Sequence, residues 1–106
     1  MARYWHVRYN PRIYMDIQKA VDFYNEQTHS HELGRRFVNN VETAVSKLNQ
    51  SAMHFQVRYD DIRLLPIPSF PYRAHYRIDE ENNIVFVEAI FHTRENPEEW
   101  RTKTKK

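Results

Sequence analysis

The chain has 106 residues, of which 41% are apolar and 28% charged, with a net charge of +2. Those values describe one globular domain able to bury roughly 65% of its unfolded surface, and they exclude a disordered chain. The absence of cysteine and the single glycine exclude disulfide frameworks, thiolate metal sites, Walker A loops, dinucleotide fingerprints and Gly-x-Ser-x-Gly elbows.

No apolar run approaches the roughly 18 residues that span a bilayer. The start, Met1 to His6, has no secretory core. The expectation is a cytoplasmic protein with no membrane partner. A single unit is expected over residues 1–106. It ends in a basic tail, 101–106, whose four cations stand without an acid and read as a solvated terminus.

The first element is a strand. Trp5, Val7 and Tyr9 share one parity and Tyr4, His6 and Arg8 the other, so one face is buried. Asn10-Pro11 ends it and opens a helix. From 12 to 28, Ile13, Ile17, Ala20, Val21 and Tyr24 form one stripe of an amphipathic helix. Ser30 is placed to cap a second helix over 31–50, with Glu32 suiting its dipole. Its stripe is Leu33, Phe37, Val41, Ala44, Val45 and Leu48. Gly34 lies inside that helix, where glycine costs about 1 kcal/mol relative to alanine. Close helix–helix approach is the expected reason. The two helices make an αα-hairpin.

After Ser51 the period changes. Ile62 to Leu65 precedes Pro66 and Pro68, so this strand is expected to be short or at an edge. Tyr72, Ala74, Tyr76 and Ile78 then alternate with Arg73, His75 and Arg77. Asp79 to Asn83 is a polar turn, in which asparagine tolerates the left-handed conformation. Ile84 to Phe91 is nearly all apolar and reads as a strand buried on both faces. Helices first and strands after them predict an α+β fold, β-α-α-β-β-β, with the hairpin on a mainly antiparallel four-stranded sheet.

Six histidines, His6, His29, His31, His54, His75 and His92, include no helical His-x-x-x-His pair, so neither a metal nor a cofactor is expected. The adjacent carboxylates Asp60-Asp61 and Glu98-Glu99 read as solvated charge rather than an acid–base pair, because neighbours in a strand point apart. Arg73, His75 and Arg77 share one strand face at a spacing of about 7 Å. The next strand ends in His92-Thr93-Arg94. Pairing around the turn brings Arg73 and Arg94 close together. Such a strand end can bind phosphate and stack a base. The alternatives are a plain solvent face or a surface for an acidic partner.

Three stretches carry a resemblance. They are Asp16–Tyr24 with Glu32-Leu-Gly-Arg-Arg-Phe37, then Phe70-Pro-Tyr-Arg-Ala-His-Tyr-Arg77, and Ile90-Phe-His-Thr-Arg-Glu-Asn-Pro-Glu-Glu-Trp100. Together with the element order, they make the chain resemble the RelE/ParE superfamily of type II toxin–antitoxin toxins, most of all its ParE-like, plasmid-stabilisation branch. The resemblance implies a growth-inhibiting toxin neutralised by a cognate antitoxin, as a homodimer or a toxin–antitoxin hetero-oligomer. For ParE-like members it implies DNA gyrase as the target. For RelE-like members it implies endoribonuclease action on mRNA at the ribosome. In those nucleases lysines, arginines and a C-terminal tyrosine serve cleavage. Here Arg73 and Arg94 match the arginine positions, the lysine positions fall near Leu64 and Pro66, and the tyrosine position lies close to Trp100. His92 is a substitute base in that reading. The candidate catalytic residues are therefore Arg73, His92 and Arg94. The candidate partner- or target-binding residues are Arg73, His75, Arg77, Arg94 and Trp100. The rival from another class is a non-toxic interaction module.

Overall fold

The computed structural model describes residues 3–95. Trp100, Glu98-Glu99 and the basic tail 101–106 lie outside the described residues. The order is β1 (His6–Tyr9), α1 (Arg12–Thr28), α2 (Glu32–Ser46), α3 (Leu48–Ser51), a 3-10 turn (Ala52–His54), β2 (Val57–Tyr59), β3 (Ile62–Pro66), β4 (Tyr72–Asp79) and β5 (Ile84–His92). The sheet has five strands in the order β1-β5-β4-β3-β2, one more than the four expected. The addition is β2, a three-residue strand joined to β3 by the Asp60-Asp61 turn with Asp60 left-handed at φ 47°. Its shortness hid it, since three residues cannot show an alternation. β3 is accordingly short but does not form the edge.

β1 runs parallel to β5, and the other neighbours are antiparallel. The long connection through the helical hairpin is what a parallel pair requires. α1 begins where the Asn10 side chain accepts the Arg12 amide at 3.0 Å. It ends at His29, left-handed at φ 52°. Ser30 Oγ accepts the Glu32 amide at 3.2 Å, but the residue flanking the helix is His31. The helix expected to reach residue 50 breaks at Lys47 into α2 and α3. At Gly34 a Cβ would stand 2.7 Å from Asn25 Oδ1 and 3.0 Å from Val21 Cγ1 of α1. Close approach of the two helices is thus the reason for the glycine. Asn83 takes φ 56° in the β4–β5 turn, as its position in the sequence predicts.

The helices cover one face of the sheet. Trp5, Phe37, Leu48, Tyr76, Val85 and Val87 are buried there. Tyr76 Oη donates to the Ala52 carbonyl at 2.7 Å, and burial pushes its pKa up to about 12. A second, smaller cluster of Ile62, Leu64, Ala89 and Phe91, packed with Tyr59, lies on the opposite face, called here the open face. Among the described residues no helix is long and apolar enough to cross a membrane.

Candidate functional site

Alternation along β4 turns Ala74, Tyr76 and Ile78 to the helices and Arg73, His75 and Arg77 to the open face. The three do not form a line of exposed cations. His75 is fully buried. Phe91 of β5 and Tyr59 of β2 close over its ring, with centroids 4.8 and 5.7 Å away. Tyr59 Oη and His75 Nδ1 share a hydrogen bond of 2.9 Å. Burial first, then the charges of Arg73 and Arg12, lowers the His75 pKa to about 3. The ring is therefore neutral at pH 7.

Arg77 is held too. Strand pairing jumps from His75↔Ala89 to Tyr76↔Val87, which leaves Glu88 as the extra residue of a bulge. Arg77 Nε donates to the buried Glu88 Oε2 at 2.8 Å, and its guanidinium lies 5.3 Å from the Phe86 ring centroid. Arg12 reaches the open face from the first turn of α1, 5.0 Å over the Phe91 ring, while bound to Asp16 at 2.9 Å. Asp16 Oδ2 also accepts the Ile90 amide at 3.0 Å. β1 stops opposite Val87, so Asp16 satisfies a donor that a neighbouring strand would otherwise take. Arg8, which pairs opposite Phe86, and Arg73 have no ion-pair partner among the described residues. They are the half-buried to exposed cations this face offers a ligand.

His92 and Arg94 sit elsewhere. His92 pairs with Tyr72, and their rings meet edge-on at 5.1 Å. Tyr72 packs on the helix side against Phe37 and Tyr24. The Arg94 amide donates to His92 Nδ1 at 3.0 Å, so in the neutral ring the proton is on Nε2. Both residues line a pocket of about 530 Å³ between α1 and the end of β5, with Arg12, Lys19, Phe23 and Tyr72. The expected cluster is thus split between two places, the open face and the pocket at the end of β5, which Arg12 and Phe91 also line. Arg73, His75 and Arg77 belong to the open face, and His92 and Arg94 to the pocket. Trp100 lies outside the described residues. Among the described residues, no three His, Asp or Glu side chains converge on a metal-sized site.

Sequence reasoning missed Arg12, Asp16, Lys19, Phe23, Tyr59 and Glu88. Three of these gave a signal. Arg12 and Asp16 stand at the i,i+4 spacing of a helical ion pair. Glu88 is the one charge in the apolar run from Ile84 to Phe91.

A parallel-to-antiparallel sheet backed by an αα-hairpin is the frame that the comparisons recognise. The family model described as ParE toxin of type II toxin-antitoxin system, parDE, matches residues 7–97. The chain belongs to this family. Among solved structures it is similar to the chromosomal ParDE toxin–antitoxin system from P. aeruginosa, with a TM-score of 0.71 at 18% identity, covering 83% of this chain and 95% of that one. It is also similar to the toxin-antitoxin complex RelBE2 from Mycobacterium tuberculosis, with a TM-score of 0.57 at 19% identity, covering 85% and 92%. At these identities the likeness is one of fold. A search of curated proteins found no significant match. For this ParE-family toxin, the match spans β1 through β5 and so includes both the open face and the α1–β5 pocket.

Proposed function

We propose that this ParE-family toxin inhibits growth by blocking DNA gyrase in the cytoplasm, without enzymatic turnover, and is neutralised by a cognate antitoxin. The observation that carries this reading is that, among the described residues, the strand beside Arg73 offers no group for proton transfer. The neighbouring strand offers Leu64, buried in the second cluster, and Pro66 opposite Arg73. Neither can move a proton or neutralise a phosphate. His75 is buried, neutral and bonded to Tyr59. An arginine with no acid or base at hand binds anions but does not cleave phosphodiesters.

The antitoxin reading draws support from the two solved relatives, both described as toxin–antitoxin systems or complexes. It is also supported by exposed apolar side chains along α1, where Tyr14, Met15 and Phe23 are 72%, 75% and 51% exposed. Side chains of that size left in water commonly mark an interface.

Ribosome-dependent mRNA cleavage is the second reading. It is favoured by the pocket that joins His92 and Arg94 to Lys19 and Tyr72. Against it, the His92 Nδ1 lone pair already accepts the Arg94 amide, which leaves no free lone pair on the neutral ring to act as base. Induction in a host cell with two readouts separates the readings. Altered plasmid supercoiling with intact transcripts supports gyrase. Rapid cleavage at codon boundaries with normal supercoiling overturns it.

A further inference from the structure

The pocket between α1 and the end of β5 is built as two facing walls. From α1 come Asp16, Lys19, Ala20 and Phe23, spaced i, i+3, i+4 and i+7 and so on one face of the helix. From the end of β5 come Ile90, Phe91 and His92, followed by Arg94. Asp16 ties the walls together. Its Oδ2 accepts the Ile90 amide at 3.0 Å, and its other oxygen holds Arg12 at 2.9 Å. The pocket is therefore shaped in advance of any ligand.

Its surplus charge is positive. Arg12, Lys19 and Arg94 stand against the two carboxylates Asp16 and Glu95, and Asp16 is already engaged by Arg12. Lys19 and Arg94, one on each wall, are exposed and have no ion-pair partner among the described residues. His92 adds a donor. Its Nδ1 accepts the Arg94 amide at 3.0 Å, so the neutral ring carries its hydrogen on Nε2. The rest of the lining is carbon. Ala20, Ile90 and Phe91 are buried, while Phe23 keeps 51% of its surface in water.

These features select a ligand. The volume, about 530 Å³, lies within the roughly 300–1,000 Å³ of small-molecule clefts and exceeds what a simple anion fills. Two facing cations suit a phosphate, whose oxygens a guanidinium fork binds in pairs. An exposed aromatic ring beside them suits a base, because every base has a face to stack. Lys19 and Phe23 are one helical turn apart, about 5–6 Å between their Cβ atoms. A phosphate at one and a planar ring at the other therefore fit within one small molecule. An acidic side chain of a peptide meets the cations but brings no planar ring to Phe23.

We propose that this pocket binds a free nucleotide, with its phosphate between Lys19 and Arg94 and its base against Phe23. The ligand is held and not turned over, since a nucleoside monophosphate has no diester to cut. The site belongs to the chain whichever target the toxin has, so it goes beyond the gyrase reading and does not depend on it.

The test is an NMR titration of the full chain with adenosine monophosphate, ribose phosphate and inorganic phosphate in turn. Adenosine monophosphate shifts the amides of residues 19–23 and 92–94 and leaves those of Arg8 and Arg77 in place. It binds at least about tenfold more tightly than ribose phosphate, the factor expected of one stacked base. Lys19→Ala and Arg94→Ala each weaken it about tenfold, as loss of a charged hydrogen bond does. Phe23→Ala brings it down to the affinity of ribose phosphate. All three side chains are exposed, so the melting temperatures stay near that of the parent. Inorganic phosphate binding as tightly as the nucleotide makes this an adventitious anion site only and overturns the proposal. A titration without shifts at the pocket overturns it too. So does a single-stranded oligonucleotide that binds far more tightly than the mononucleotide, because the ligand is then a polymer. None of these outcomes bears on the gyrase or antitoxin readings, which supercoiling and co-purification decide separately.

Discussion

The two faces of the sheet reach dryness by different means. On the helix side, large apolar side chains are covered by a second layer. Phe37 is 0% exposed and its ring meets those of Tyr24, Phe70 and Tyr72. Among the described residues no helix covers the open face, yet Ile62, Leu64, Ala89 and Phe91 are buried there. They are sheltered by polar and charged neighbours: Tyr59 hydrogen-bonded to His75, Arg12 over Phe91, and Arg77 locked to Glu88. The helix side draws its stability from apolar area, which pH and salt affect little. The open face depends on the protonation and pairing of a few groups, and it is the side that also offers Arg8 and Arg73 to a ligand.

The contrast can be broken from the helix side first. Phe37→Ala should cost about 3–5 kcal/mol, the range for a fully buried phenylalanine, and urea denaturation would show the loss at every pH. On the open face, Arg77→Met leaves Glu88 buried without its partner. The cost should be about 2 kcal/mol, below the ~3–5 of a wholly buried pair, because the Arg77 side chain keeps 29% exposure. Replacing both residues with apolar ones should recover much of it.

His75 sharpens the contrast through pH. Its pKa is about 3 in the folded chain, lowered by burial, Arg73 and Arg12, against about 6.5 unfolded. Between those values the unfolded chain binds more protons, so stability falls as pH drops below about 6.5, by up to about 1.4 kcal/mol per pH unit. From pH 7 to 5 the loss should be about 2 kcal/mol. His75→Gln should flatten that slope, and an unchanged slope in the variant would assign the acid sensitivity to other groups.

The smallest effect on stability is expected from the Arg73→Ala, Arg94→Ala double variant, within about 0.5–1 kcal/mol of the parent. Its effect on growth inhibition should be large. A fully toxic double variant would exclude both cations from target binding and leave the exposed face of α1 as the surface to examine.

Much of the fold is written locally. The stripes of α1 and α2, the alternation in β4 and the Asn83 turn depend on neighbours within a few residues, and each is where the spacing predicts it. The candidate site was only partly legible. Arg73, His75 and Arg77 do share a face, because parity along a strand is a local property. Whether that face is wet or dry is not. It depends on Phe91, sixteen residues beyond His75, and on Tyr59, sixteen before it. Burial at a position is decided by what arrives from elsewhere in the chain.

Sequence periodicity by itself determined α1, α2 and their hairpin, the strands β1, β3, β4 and β5, and the β4–β5 hairpin. Three things were left to the tertiary structure. The parallel docking of β1 covers β5 only as far as Val87 and leaves Val7 and Tyr9 facing outward. The bulge at Glu88 turns a charge inward to meet Arg77. Asp16 accepts an amide 74 residues away at Ile90. Each involves backbone groups, and every residue but proline carries the same backbone donor and acceptor. Their partners are therefore chosen by where the chain folds and not by which residues it contains.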